Sequence, residues 1–270
     1  MKLAIIYSFN DSRILKVLKI LKRISLPKNV IFVFTADLKS SDLYHTYKRD
    51  YGSKKIKFVL SKSSNYIGSI LNDGINSVKS EYYYILDSSC ILNKQTILEA
   101  LNNKNVDVVI NGFINFYGDN LVGKLDAKLR LNRYMHDTSF AYCPNIIIPK
   151  SIFDKIGLFS DNYKYGSDAE FAKRLQDNNI KTIYNKKLIV DKNVTDSLRG
   201  VCSKWIKYGK GRYKRYMNSP LKIRLQSLVN PILFRKNESL LYNLFFVLCL
   251  LFRWVGMTQE ALRLWLKSKK

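Results

Sequence analysis

The sequence predicts an α/β fold, a doubly wound, mostly parallel sheet flanked by helices, followed by a helical C-terminal extension. Three observations predict it. Over the first two-thirds, strand-length apolar runs alternate with stretches that repeat apolar residues at helical spacing. Of the 270 residues, 47% are hydrophobic, enough for a sizeable core and too many for wholesale disorder. Past Cys143 the alternation changes, and past Ser197 the chain becomes basic and then apolar.

The first strand is "KLAIIYSF", ending beyond Ser8. A helix, "SRILKVLKILKRI", follows, with Ile14, Leu15, Leu18 and Leu21 on one side. "NVIFVFTAD" is a second strand, closed by Asp37, and "KIKFVLS" a third. "IGSILNDGINSVKS" reads as a helix, "YYYILD" as a fourth strand and "VDVVINGFINFYG" as a fifth. "CPNIIIPKSIFDKIGLF" is a short apolar strand, a turn and a helix start. "GSDAEFAKRLQDNN" is an amphipathic helix with Ala169, Phe171, Ala172 and Leu175 inward, and "IKTIYNKKLIV" is a closing strand. In "SLRGVCSKWIKYGKGRYKRY", Leu198, Val201, Cys202, Trp205 and Ile206 share a stripe. The run Leu240–Gly256 is apolar except for Asn243 and Arg253, a little short for the ~20 residues that span a bilayer.

Charge narrows the partners. The net charge is +25, with 46 Lys and Arg against 21 Asp and Glu. A polyanion is expected: nucleic acid, an anionic membrane surface or a phosphorylated substrate. The basic residues cluster beside an apolar tail rather than interleaving with aromatics on a sheet, which disfavours nucleic acid. Between Ser197 and Asn237 there are eleven Lys and Arg and no acid. The four cysteines lie far apart without a CxxC pair, so neither a disulfide framework nor a structural zinc site is expected. The N-terminus runs straight into a strand with no signal-peptide pattern, so the expected location is cytoplasmic, peripheral to the inner face of the membrane.

Open α/β sheets bind ligands at the C-terminal ends of their strands. "YYYILDSSC" delivers Asp87 to such an end. The stretch "NYIGSILNDGINSVKSEYYYILDSS" resembles the donor region of family-2 glycosyltransferases, which have the GT-A fold: Asn65, Gly68, Asn72, Gly74 and Asp87 fall at matching spacings. "CPNIIIPKSIFDKIGLFSDNYKYGSDAEFAKRL" resembles the family's acceptor half, with Asp168 at the position of the catalytic base. "SLRGVCSKWIKYGKGRY" resembles the basic segment that often follows. The resemblance covers roughly residues 1–215, taken as the glycosyltransferase domain, with 216–270 a basic and apolar membrane-associating segment.

That resemblance implies an inverting transferase, moving a sugar from a nucleotide-diphosphate donor (a UDP-sugar foremost) to a hydroxyl of a lipid-linked or cell-surface glycan. Asp168 would deprotonate the acceptor. Asp87 would bind the nucleotide beside Ser8 and Asn65, and Asp37 would lie where the base is read. The chain departs from the family in three respects, one of them Leu71, which stands where an arginine commonly precedes the Asn72 position. The last acid of Asp-x-Asp, the usual metal ligand, is Ser89, and no histidine follows the closing strand. A serine oxygen is a poor ligand for hard cations. No metal ligand is therefore assigned, and Lys192 becomes the first candidate to offset diphosphate charge. Magnesium or manganese could still enter through the diphosphate itself or through Asp191 or Asp196. A catalytically inactive sugar-nucleotide binder, partner to another membrane-associated transferase, is the alternative. Simpler readings stand beside these: Asp87 as a cap for "NKQTILEALNN", Asp168 as a helix cap, Asp37 as a solvated loop residue, and His45 and His136 as ordinary side chains.

Overall fold

The computed structural model describes residues 2–63, 66–103, 108–134, 143–194, 197–216 and 238–268. Its strands are β1 (Leu3–Phe9), β2 (Val30–Ala36), β3 (Ile56–Leu60), β4 (Tyr82–Asp87), β5 (Cys90–Ile91), β6 (Val109–Tyr117), β7 (Asn145–Pro149) and β8 (Thr182–Asn193). They form one eight-stranded sheet in the order β3-β2-β1-β4-β7-β6-β8-β5.

The α/β class is as the sequence predicts, and its parallel part is β3-β2-β1-β4. Every residue of β1 is buried. A parallel strand covered on both faces reads as a continuous apolar run, not an alternating one. Beyond β4 the direction changes: β7 runs antiparallel to β4 and to β6, and β5 antiparallel to β8. All five residues of β7 are buried, so hydrophobicity located the strand but carried no information on its direction. The register sets Ser8 opposite both Thr35 and Asp87, and Asp37 follows the end of β2.

Contacts divide the chain into two compact units, Met1–Phe116 with Arg133–Asn193, and Tyr117–Asn132 with Val194–Lys270. The first holds the sheet. Its helices are α1 (Ile14–Leu21), α2 (Ser41–Tyr51), α3 (Ile67–Asn76), α4 (Lys94–Asn102), α6 (Lys150–Ile156) and α7 (Ser167–Asp177). Ile14, Val17, Leu18 and Leu21 are the buried residues of α1. One core joins Ile6, Val33, Leu71, Ile148, Phe153 and Phe171.

The second unit is helical: most of α5 (Leu121–Tyr134), α8 (Leu198–Tyr216) and α9 (Leu240–Ser268). Leu129, Val201, Trp205, Tyr242, Phe245 and Cys249 form its core. Leu198, expected on the inner stripe of α8, is instead 48% exposed at the first position of the helix. Inside this unit the fully buried Asp126 accepts from Arg130 Nε at 2.9 Å, with Lys204 Nζ at 3.6 Å. By its packing the helix before residue 216 belongs with the C-terminal helix.

Candidate active site

Asp87 stands at the end of β4, at the edge where the parallel strands finish. Two buried tyrosines hold the sheet beneath it: Tyr7 donates to the Cys90 carbonyl at 3.1 Å, and Tyr84 to Asn145 Oδ1 at 2.7 Å. Asp87 Oδ1 accepts from the Ser89 amide at 2.9 Å and the Ser89 hydroxyl at 2.6 Å, with Cys90 Sγ at 3.8 Å. The ammonium of Lys192 lies on Oδ2. Desolvation alone would raise the Asp87 pKa, but the Lys192 charge and the Ser89 donors outweigh it and hold the carboxyl well below the usual range. Burial, with the neighbouring Asp87 charge, pushes the Cys90 thiol up to about 12.

The sequence brought Asp87, Ser89 and Lys192 forward for separate reasons, and the fold brings them together. β5 and β8 do this: Cys90 pairs with Lys192 and Ile91 with Asp191. Side chains alternate along a strand, so Asp191 projects from the face opposite Lys192, where Asn115 Nδ2 donates to it at 2.7 Å. Asp196 lies outside the described residues. The simpler reading of Asp87 as a cap for α4 fails, because Asn93 Oδ1 caps that helix through the Thr96 amide at 2.9 Å.

Asp168 sits in the first turn of α7. Gly166 turns the chain into this helix at φ +83°, a left-handed conformation that suits glycine. Gly166 occupies the cap position, and the Asp168 carboxylate accepts from the Ala169 amide at 2.8 Å. Arg174 fixes α7 against the "IGLF" turn, donating to the carbonyls of Ile156 at 2.6 Å and Leu158 at 2.7 Å while Glu170 holds its Nε at 2.7 Å. Burial pushes the Cys143 thiol well up, and the charges of Asp168 and then Asp87 add to this. The two acids therefore act electrostatically on one thiol.

Other sequence candidates divide. Ser8 is buried opposite Asp87. Asp37 is 5% exposed, so it is not a solvated loop residue; its Oδ1 caps a short 3-10 turn through the Lys39 amide at 2.9 Å. Asn65 lies outside the described residues, as does His136, and His45 is exposed on α2. The glycines and asparagine of the donor motif have structural work. A side chain at Gly68 would meet the Ser160 carbonyl oxygen at 2.6 Å. Asn72 Nδ2 donates to the Phe159 carbonyl at 2.7 Å and to Asp161 Oδ1 at 3.3 Å, and its Oδ1 accepts from the Phe159 amide at 3.1 Å.

Sequence reasoning missed Arg13. It lies in the turn after β1, where its Nε donates to Asp11 Oδ1 at 3.0 Å and Oδ2 at 2.9 Å and its Nη2 donates to Oδ2 at 2.7 Å. Hydrogen bonding to Asp11 raises its pKa against the effect of burial, and the charge of Asp87 contributes. A cation four residues past a strand end was the available signal.

The residues at Asp87 do not fit a divalent cation. An ammonium occupies one carboxylate oxygen, hydrogen-bond donors occupy the other, and no group of three His, Cys, Asp or Glu exists among the described residues.

A sheet that gathers acids and a lysine at the C-terminal ends of its parallel strands belongs to the class of open α/β folds, which take ligands at that edge. Within that class the chain has the fold of a glycosyltransferase. It is similar to a mannosyltransferase from Pyrobaculum calidifontis, solved in complex with GDP-Man and Mn2+, with a TM-score of 0.62 and 10% identity, covering 99% of this chain and 75% of that one. No family model matches the chain, and no curated protein matches it. The resemblance to family 2 rests on the sequence motifs alone.

Proposed function

We propose that this chain is an inverting glycosyltransferase of the family-2 type. It transfers a sugar from a nucleotide-diphosphate donor, a UDP-sugar in the first instance, to a hydroxyl of a lipid-linked or cell-surface glycan at the inner face of a membrane. The observation that carries the reading is the Lys192 ammonium seated on Asp87 at the nucleotide edge of the sheet. Asp168 takes the acceptor's proton as the acceptor oxygen attacks the anomeric carbon. The bond from that carbon to the diphosphate breaks on the opposite face, and the diphosphate leaves with the electron pair. Lys192 stands where charge develops on the leaving group, and a fixed cation there lowers the barrier without reorganising. Asp87 orients the ammonium and receives the ribose; Ser8 and Asp37 line the nucleotide side, Asn65 is assigned to the donor by its motif alone, and Ser89 fixes Asp87.

This reading needs no divalent ion. The test is turnover of a radiolabelled sugar nucleotide by the full chain, with EDTA and then with added Mn2+, after a thermal-shift screen of UDP-, GDP- and dTDP-sugars finds the donor. Activity should survive EDTA. Complete loss restored by Mn2+ would place a metal in the reaction and remove Lys192 from that role. The fully engaged oxygens of Asp87 also favour a second reading, a sugar-nucleotide-binding partner without turnover; donor stabilisation with no transfer under either condition would select it.

A further inference from the structure

The second unit carries an apolar surface that sugar transfer does not use. Along α9, Leu240, Leu244, Leu251, Val255, Leu262 and Leu266 are exposed. Their spacing alternates four and seven, a repeat of eleven residues, which is close to three turns of helix. They form one nearly straight stripe on a segment, Leu240–Leu266, that is long and apolar enough to cross a membrane. At ~1.5 Å per residue this segment is about 40 Å long, against ~30 Å of bilayer hydrocarbon.

Two features decide how the stripe meets lipid. Arg253 is the middle residue of Leu240–Leu266, and there α8 and α9 touch backbone to backbone. A side chain on Gly209 would fall on the Arg253 carbonyl, and one on Gly256 on the Ile206 carbonyl. α8 holds seven Lys and Arg and no acid, and Lys207 and Lys210 flank Gly209, with Lys207 exposed. If α9 crossed a bilayer, these lysines would sit near its midplane, where charge is most costly. Three polar residues of α9, Asn243, Arg253 and Glu260, are buried on its protein side, while Thr258 and Gln259 are exposed between Val255 and Leu262.

We infer that this unit docks on an anionic lipid bilayer with α9 lying in the interface along its leucine stripe, not crossing it, while the cations of α8 attract the headgroups. The inference rests on the membrane-bound acceptor proposed above and adds the surface and its orientation. An apolar face with neighbouring Lys and Arg is the pattern of an interfacial helix. Charge argues against a second copy as the occupant, because each copy would bring the same eleven cations and no acid between Ser197 and Asn237 against the other.

The test is flotation of the full chain with vesicles of phosphatidylcholine alone or mixed with phosphatidylglycerol. Binding should require the anionic lipid, weaken as salt rises, and fall at least ~10-fold in Leu244→Glu or Leu262→Glu, with circular dichroism and donor-induced stabilisation unchanged. Ser239→Cys and Arg263→Cys, each bound to preformed vesicles, should both react with an impermeant maleimide, the wild-type protein giving the background. Protection of one position would mean a spanning helix and overturn the inference. Flotation indifferent to both lipid charge and the stripe substitutions would also overturn it. So would a concentration-dependent dimer abolished by Leu244→Glu in a protein that does not float. Donor stabilisation read on the same samples separates the two proposals: a donor-binding protein that fails to float defeats only this one.

Discussion

Replacing Asn72 by alanine tests whether that asparagine of the donor motif touches donor or braces the fold. Its amide makes three contacts, two with the backbone of Phe159 and one with Asp161. A hydrogen bond contributes about 1 kcal/mol net, and one to an exposed carboxylate contributes less. Removing the side chain also strands the Phe159 amide and carbonyl in a half-buried position. The sum is a loss of about 2–3 kcal/mol. For a chain of this size each kcal/mol moves Tm by roughly 2–4 °C, so Tm should fall by about 5–10 °C in differential scanning calorimetry. Donor affinity at a temperature where the variant is folded should change less than ~2-fold. Asn72→Asp supplies a control. Its carboxylate keeps the bond from the Phe159 amide but loses both donors and faces Asp161, so near pH 7 it should cost at least as much as alanine. Part of that cost should vanish below about pH 4, where the new acid is protonated. A Tm within ~2 °C of wild type, together with a tenfold loss of donor affinity, would refute the brace and make Asn72 a ligand contact.

Three further outcomes are expected. Asp168→Asn should lower turnover by about 10²–10⁴-fold with donor-induced thermal stabilisation unchanged; wild-type turnover would remove Asp168 as the base. Gly166→Ala should cost roughly 1–2 kcal/mol, because alanine must hold φ +83°, and should reduce kcat by displacing the start of α7; equal stability in urea titration would contradict that backbone argument. Because Asp87 is held below its ordinary pKa, the stability it contributes is full above about pH 4 and is lost as pH falls below that. The Tm difference between wild type and Asp87→Asn should therefore stay constant from neutral pH down to about pH 5 and shrink under pH 4; a difference that grew on acidification would reverse the assigned sign.

The strands were legible because buried parallel strands write themselves as apolar runs, as "LAIIYSF" and "YYYILD" do. The sequence does not encode which way such a run points, and the antiparallel β7 shows it: "NIIIP" would look the same in either direction. Asp87 was legible from its place at a strand end, and Ser89 from the acid it replaces. The contact of Lys192 with Asp87 was not, since it depends on a two-residue ladder between β5 and β8 that no local pattern announces. Asp37 and Asn72 were legible as motif positions but not as structural groups, because a capping or bracing role shows only in hydrogen-bond partners. Asp126 and Arg130 passed unnoticed for the same reason: an i,i+4 pair on a helix is ordinarily a surface pair, and here it is buried.

The Lys192–Asp87 pair has a consequence for the birth of the protein. Its partners are 105 residues apart in the chain, and β8 lies outside β6 and β7 in the strand order. At ~5–20 residues per second on the ribosome, Lys192 is made roughly 5–20 s after Asp87. Until then Asp87 has no ammonium and keeps a carboxyl nearer the ordinary range. A nascent chain, or one truncated before β8, would assemble the four parallel strands and still present a bare acid at their ends. The charge balance at this end of the sheet is thus completed by late translation, and stalled or shortened chains carry Asp87 without its counter-charge.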